Sequence, residues 1–166
     1  MEEVLNIRPA AEADLVGILS IYNEIIANTT AVFHYDLQTM ESRKSWFDQK
    51  NKEGYPVFVA EEHGEILGFS SFGPFRNWQA YRFTVENSVY VRSDCRGRGI
   101  GKQLLKATID AARGMGMHTI IAGIELKNQA SIRMHKQFGF REAALLKEVG
   151  FKFEQWLDLV FLQLFL

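Results

Sequence analysis

Three observations predict an α/β layer fold, a mixed central sheet of about seven strands with about four helices on its two faces. Apolar residues recur at helical spacing in some stretches and as short strand-like runs in others, and the two kinds interleave along the chain. Thr119 to Ile124 is apolar almost throughout, as expected of a strand covered on both faces. Asn87 to Leu105 reads as strand, glycine-rich basic loop and helix start. A chain of 166 residues can bury one sizeable core and is short for two, so residues 1–166 are expected to form a single domain.

Leu5 to Arg8 is a short opening strand, and Asp14 leads into a helix whose buried stripe is Leu15, Ile18, Leu19, Tyr22 and Ile25 or Ile26. Ala27 to Gln38 loses that period and reads as an aromatic loop, in which Phe33 either lines a pocket or plugs the core. Thr39 can cap a second helix that runs to about Asn51, with Trp46 and Phe47 on its apolar side. Pro56 to Glu62 and Ile66 to Phe72 are strands around a His63-Gly64 turn. A connector from Gly73 to Ala80 precedes a strand from about Arg82 to Val91. Ile100, Leu104, Leu105, Thr108, Ile109 and Ala112 give the next helix its stripe, stopped at Gly114.

After the Thr119 strand, a short helix follows Asn128 and is closed by Gly139. At 100 degrees per residue it sets Asn128, Ser131 and His135 on a polar face available to a ligand, opposite Ala130, Met134 and Phe138. Two strands close the chain, one within Arg141 to Glu148 and one from Gln155 to Phe165, separated by Val149 to Phe153.

The formal charge of -1 argues against a general nucleic-acid binder and makes the basic loop a local feature. No apolar run is long enough to cross a bilayer, and the start Met1-Glu2-Glu3 lacks a basic n-region, so no membrane partner and cytoplasmic residence are expected. The single cysteine, Cys95, excludes an internal disulfide and a cysteine-based zinc site, and no metal is expected.

The loop has the grammar of a phosphate cradle. Its glycines let backbone amides approach an anion, the following helix aims unpaired amides and its positive dipole end into the same place, and Arg96, Arg98 and Lys102 add charge. A P-loop fails, because Arg96 stands where its first glycine belongs and Gln103 where its Ser or Thr belongs. A dinucleotide fingerprint begun at Gly97 would need glycine at Lys102.

What fits is Arg-x-x-Gly-x-Gly, formed by Arg96, Gly99 and Gly101 after an apolar strand; this resembles the acyl-CoA pyrophosphate loop of the GNAT superfamily of N-acetyltransferases. The element order and the stretch from Asn128 to Phe140 resemble that superfamily too. Within it, Ser131 to His135, Thr84-Val85-Glu86-x-Ser88-Val89-Tyr90-Val91, Gly150-x-Lys152 and Trp156-x-Asp158 look like the branch of phosphinothricin and methionine sulfoximine or sulfone acetyltransferases, so the resemblance covers essentially the whole chain.

The resemblance implies a GNAT-like sheet and acetyl-CoA as cosubstrate, with the CoA pyrophosphate on Arg96, Gly97, Arg98, Gly99, Ile100, Gly101 and Lys102. It implies that a bulge frees the strand edge at Val89, Tyr90 and Val91 for the pantetheine arm, and that Asn128 and Ser131 also contact CoA. Glu86 is then the base, and His135, which stands where most of the superfamily has tyrosine, the acid or a second base. The acceptor would be a small zwitterion acetylated on its α-amino group through a tetrahedral intermediate, held by Arg76 and Arg82 around Tyr81, with Phe33 and Tyr35 as an apolar wall. Family members are commonly dimers, so a homodimer is expected, with the site either within one subunit or shared across the two-fold interface through the connector, serving detoxification or the metabolism of oxidised methionine derivatives. The alternatives are an enzyme of this family for another amino acid, a polyamine or a protein N-terminus, and a non-catalytic acyl-CoA-binding module.

Overall fold

A computed structural model describes residues 4–166; the acidic start read from Met1 to Glu3 lies outside the described residues. Among the described residues, seven strands form one mixed sheet in the order β1-β2-β3-β4-β5-β7-β6. β1 (Asn6–Pro9), β2 (Val57–Glu62), β3 (Glu65–Pro74) and β4 (Thr84–Val91) pair antiparallel in succession. β5 (Thr119–Glu125) joins β4 in parallel, and β7 (Gln155–Phe165) lies between β5 and the edge strand β6 (Arg141–Lys152), antiparallel to both.

Two helices cover each face. α1 (Leu15–Asn28) and α2 (Met40–Glu53) bury Ile18, Ile21, Ile25 and Phe47 against Val57, Val59 and Phe69. On the other face α3 (Ile100–Gly114) and α4 (Gln129–Gln137) bury Leu105, Ile109, Ala112 and Ile132 against Val85, Ile120, Ala122, Ile124 and Leu162. Alternation along each strand therefore sorts β4 and β5 cleanly: Val85 and Val89, with Ile120, Ala122 and Ile124, face α3 and α4, whereas Tyr90 packs on Tyr22 and Phe69.

The capping expected of Thr39 is present, its hydroxyl accepting from the Ser42 amide at 3.1 Å, a contact of about 1 kcal/mol. The His63-Gly64 turn has both residues at positive φ, 53° and 79°, as a two-residue hairpin turn requires. Three of the boundaries that differ from expectation have a clear local cause. β4 begins at Thr84 and not near Arg82, because the connector winds into a short 3-10 turn at Gln79–Tyr81. α2 continues to Glu53, since Gly54 at φ 78° is the first residue able to leave the helix left-handed. β6 continues past Glu148 to Lys152, with an irregular register between Leu146 and Gly150, and the turn lies at Phe153-Glu154, both left-handed at φ 51° and 57°.

Candidate active site

β4 and β5 pair only over Thr84–Glu86 against Thr119–Ile121. Beyond Glu86, β4 stays on β3 as far as Val91 while β5 continues along β7, so the edge of β4 facing β5 is left without a strand partner and a wedge opens. The expected bulge is not the cause. The register of β4 on β3 is continuous from Val85 to Val91, and the opening comes from divergence of two parallel strands.

One cavity of about 660 Å³ fills the wide part of this wedge, walled by Thr29 to Ala31 on one side, by Asn128, Ser131 and Met134 on the other, and by Val89, Tyr90 and Val91 at its floor. A smaller cavity of about 150 Å³ adjoins it at the narrow end, where Glu86, Asn87, Ser88, Gly123 and His135 meet.

The wide end is built for an anion. Gly97 and Gly99 both adopt φ 79°, which turns the chain left-handed ahead of α3. Ile100, Gly101 and Lys102 line the cavity, and their first-turn amides have no carbonyl one turn earlier to bond. A Cβ on Gly101 would stand 3.0 Å from the Met134 sulfur, so glycine lets α3 and α4 approach here without displacing that side chain. Arg96 and Lys102 line the cavity, but Arg98 does not: its guanidinium grips both oxygens of Glu62, at 2.7 and 2.9 Å.

At the narrow end, Glu86 is half-buried, and burial raises its carboxyl above the ordinary range against the opposing pull of the nearby Arg76 charge. A Cβ on Gly123 would lie 3.1 Å from Glu86 Oε1, so the carboxylate occupies space that any other residue on β5 would take. Two positions further along β5, Glu125 is only 3% exposed and lines both cavities. Its Oε2 accepts from the Thr30 hydroxyl at 3.2 Å and from the Lys127 amide at 3.1 Å.

His135 approaches from α4. It is 3% exposed, with its ring edge-on to Phe140. Nδ1 lies 2.8 Å from the Ser131 carbonyl, which can only accept, so Nδ1 carries the proton and Nε2 accepts from the Asn87 side-chain amide at 3.1 Å. Burial lowers the pKa, and the neutral ring follows. Asn87 Oδ1 is buried without a partner among the described residues. The polar face read from helical spacing is thus divided: Asn128 and Ser131 line both cavities, whereas His135 reaches only the smaller. Asn128 also caps α4, accepting from the Ser131 amide at 3.3 Å.

The residues expected around an acceptor are only partly gathered. Arg76 lies over Phe75 at 5.1 Å and acts electrostatically on Glu86, and Tyr81 packs edge-on to Phe75, which in turn meets Phe161 opposite Gly123. Arg82 lies instead over its neighbour Phe83, at 4.6 Å. Phe33 neither plugs the core nor lines either cavity. It packs on Gly150 of β6, where a Cβ would come within 2.6 Å of its ring, and Val32 is the core residue of that loop. Glu125, Thr30, Asn87 and Gly123 escaped the sequence reading. The one local signal was a glycine interrupting the apolar run of β5 two residues before an acid. Among the described residues no group of three His, Cys, Asp or Glu could hold a metal ion, and no helix is long and apolar enough to cross a membrane.

Residues 18–140 match the acetyltransferase (GNAT) family. The L-methionine sulfoximine/L-methionine sulfone acetyltransferase of Pseudomonas aeruginosa is 48% identical over 160 residues, covering 96% of this chain and 93% of that protein. The crystal structure of an N-acetyltransferase from Staphylococcus aureus superposes with a TM-score of 0.97 at 48% identity, over 98% of each chain. A phosphinothricin acetyltransferase from Sinorhizobium meliloti, solved with acetyl-CoA, gives a TM-score of 0.95 at 36% identity, over 98% of this chain and 88% of that one.

Proposed function

This chain belongs to the acetyltransferase (GNAT) family, and from that premise we propose that it acetylates the α-amino group of small amino-acid analogues: L-methionine sulfoximine, L-methionine sulfone and phosphinothricin. The observation that carries this reading is the wedge itself, with an anion cradle at its wide end and a half-buried carboxylate at its narrow end.

The residues present fit acetyl-CoA. The cavity is of ligand size, its floor is an unpaired strand edge, and the left-handed glycines at one end leave backbone amides open to a pyrophosphate. When bound, acetyl-CoA supplies the acyl group already activated as a thioester. The amides of Gly97 to Lys102, with the charges of Arg96 and Lys102, would hold its phosphates, and Val89 to Val91 and the α4 face at Asn128 and Ser131 would hold the arm between them. The Arg98 guanidinium is engaged by Glu62 on β2, which favours its side chain less as a phosphate partner.

Glu86 is our candidate base. Its raised pKa brings it nearer the working range for accepting an ammonium proton, directly or through water, and Gly123 leaves room beside it. For His135 the geometry supports a role through Asn87 and Ser131 more than direct proton transfer, because both ring nitrogens are engaged within the protein. Arg76, within electrostatic reach of Glu86, is the better candidate for the acceptor carboxylate, and the position of Arg82 over Phe83 favours it less. We also propose a homodimer, supported by the exposed apolar row on β6.

One observation favours a second acceptor class. Glu125 is a buried acid lining both cavities, which suits a polyamine. The deciding experiment is an acceptor screen with free-thiol detection and mass analysis of the product, including methionine sulfoximine, methionine sulfone, phosphinothricin, spermidine and common amino acids. Acetyl-CoA-dependent thiol release with the three analogues is expected. Release with spermidine alone would move the assignment to the second class, and silence with every amine would overturn catalysis.

A further inference from the structure

The end of β6 carries an enclosed cation that acetyl transfer does not by itself require. Lys152 is 3% exposed, and its Nζ donates to three backbone carbonyls, of Ile26 and Val32 among buried residues and of Thr29 at the edge, at 2.7, 2.8 and 2.8 Å. These carbonyls belong to the last turn of α1 and the loop after it, where the helix has run out of amides to pair them and where a positive charge is favoured. One ammonium, reached from more than a hundred residues away in sequence, therefore sets the path of residues 26–32.

The same hairpin end grips that loop twice more. The Tyr35 hydroxyl donates to the Phe151 carbonyl, and the Phe33 ring lies on Gly150, which has no Cβ to displace it. At its other side the loop faces the wedge. Thr30 and Ala31 line the larger cavity, and the Thr30 hydroxyl donates to Glu125 at 3.2 Å.

We propose that Lys152 is a positioning residue for the acceptor wall: by holding the carbonyls of Ile26, Thr29 and Val32 it sets Thr30 against Glu125, and so fixes Ala31 and Glu125, which line the smaller cavity beside Glu86 where an acceptor amine would sit. This rests on the acetyl-transfer reading. The anion loop and the β4 edge lie on elements Lys152 does not touch, so acetyl-CoA keeps those contacts and loses only the cavity wall at Thr29 to Ala31 when the loop shifts.

The test compares Lys152→Met, Lys152→Arg and Thr30→Val in the full chain. The arginine variant keeps the charge but cannot converge on three carbonyls from one nitrogen, and Thr30→Val leaves all three Lys152 bonds in place. In both lysine variants the acceptor KM should rise by roughly 10- to 100-fold, while the acetyl-CoA KM moves by less than about threefold, as for a displaced positioning contact. Amide hydrogen exchange at residues 29–33 should quicken in the lysine variants and not in Thr30→Val, whose acceptor KM should still rise. Equal rises in both KM values, or wild-type exchange in the loop of a folded lysine variant, would overturn the proposal. If neither lysine variant folds, an unchanged acceptor KM in Thr30→Val overturns it. Exchange needs no substrate, so a wild-type protein silent toward every amine sinks the acetyl-transfer reading while the loop measurement still decides the positioning.

Discussion

Glu86 shows what a single residue owes to its neighbours. Its place on the strand that leads into the basic loop was legible from the sequence, but its chemistry depends on Gly123 making room and on burial raising its pKa, and neither is visible along β4 alone. Since the base works deprotonated, activity should fall on acidification, and the raised pKa places that fall above the ordinary Glu value of about 4.3. Glu86→Gln should lower turnover by roughly 10²- to 10⁴-fold, leave acetyl-CoA binding little changed and remove this acid limb from the pH profile. An unaltered limb in the variant would assign the base elsewhere. Arg98 is the converse case. A cation in a phosphate-like loop invites a ligand role, yet Glu62 on β2 claims it, and that partner lies thirty-six residues away in the sequence.

At the scale of elements, periodicity served helices better than edges. α1 and α3 follow their apolar stripes, whereas α4 buries Ile132 and His135 most deeply and leaves the expected Ala130 exposed, and β6 does not alternate in exposure and was cut short at Glu148. Its register on β7 breaks between Leu146 and Gly150, where Glu148 turns left-handed at φ 53° and the strand carries residues that oppose no partner. That irregularity hid the strand from a period-two reading. It also leaves Leu145, Leu146, Val149 and Phe151 exposed on an edge strand, with Trp156 on the neighbouring one, a combination that isolated proteins avoid. Sedimentation should accordingly give a dimer mass, and Leu146→Lys combined with Val149→Lys should halve that mass with the circular dichroism unchanged. A wild-type monomer, or a double variant that stays dimeric, would contradict the assignment of β6 as the contact.

For the whole molecule, the layer architecture was readable because helix and strand periods interleave without ambiguity, and the anion end of the wedge because its glycines, cations and helix start are contiguous. The other half of the site is not contiguous. Glu86, Gly123, Glu125, Thr30 and Lys152 come from four separate stretches and meet only because β4 and β5 part company after Glu86. The most direct measurement of the central claim, that this parting makes an acetyl-CoA site, is the melting temperature recorded across an acetyl-CoA titration. A ligand that binds only the native state at about 100 times its Kd adds about 2.7 kcal/mol, and for a chain of this size that corresponds to a rise on the order of 5–10 °C. No rise at saturating acetyl-CoA would contradict the account.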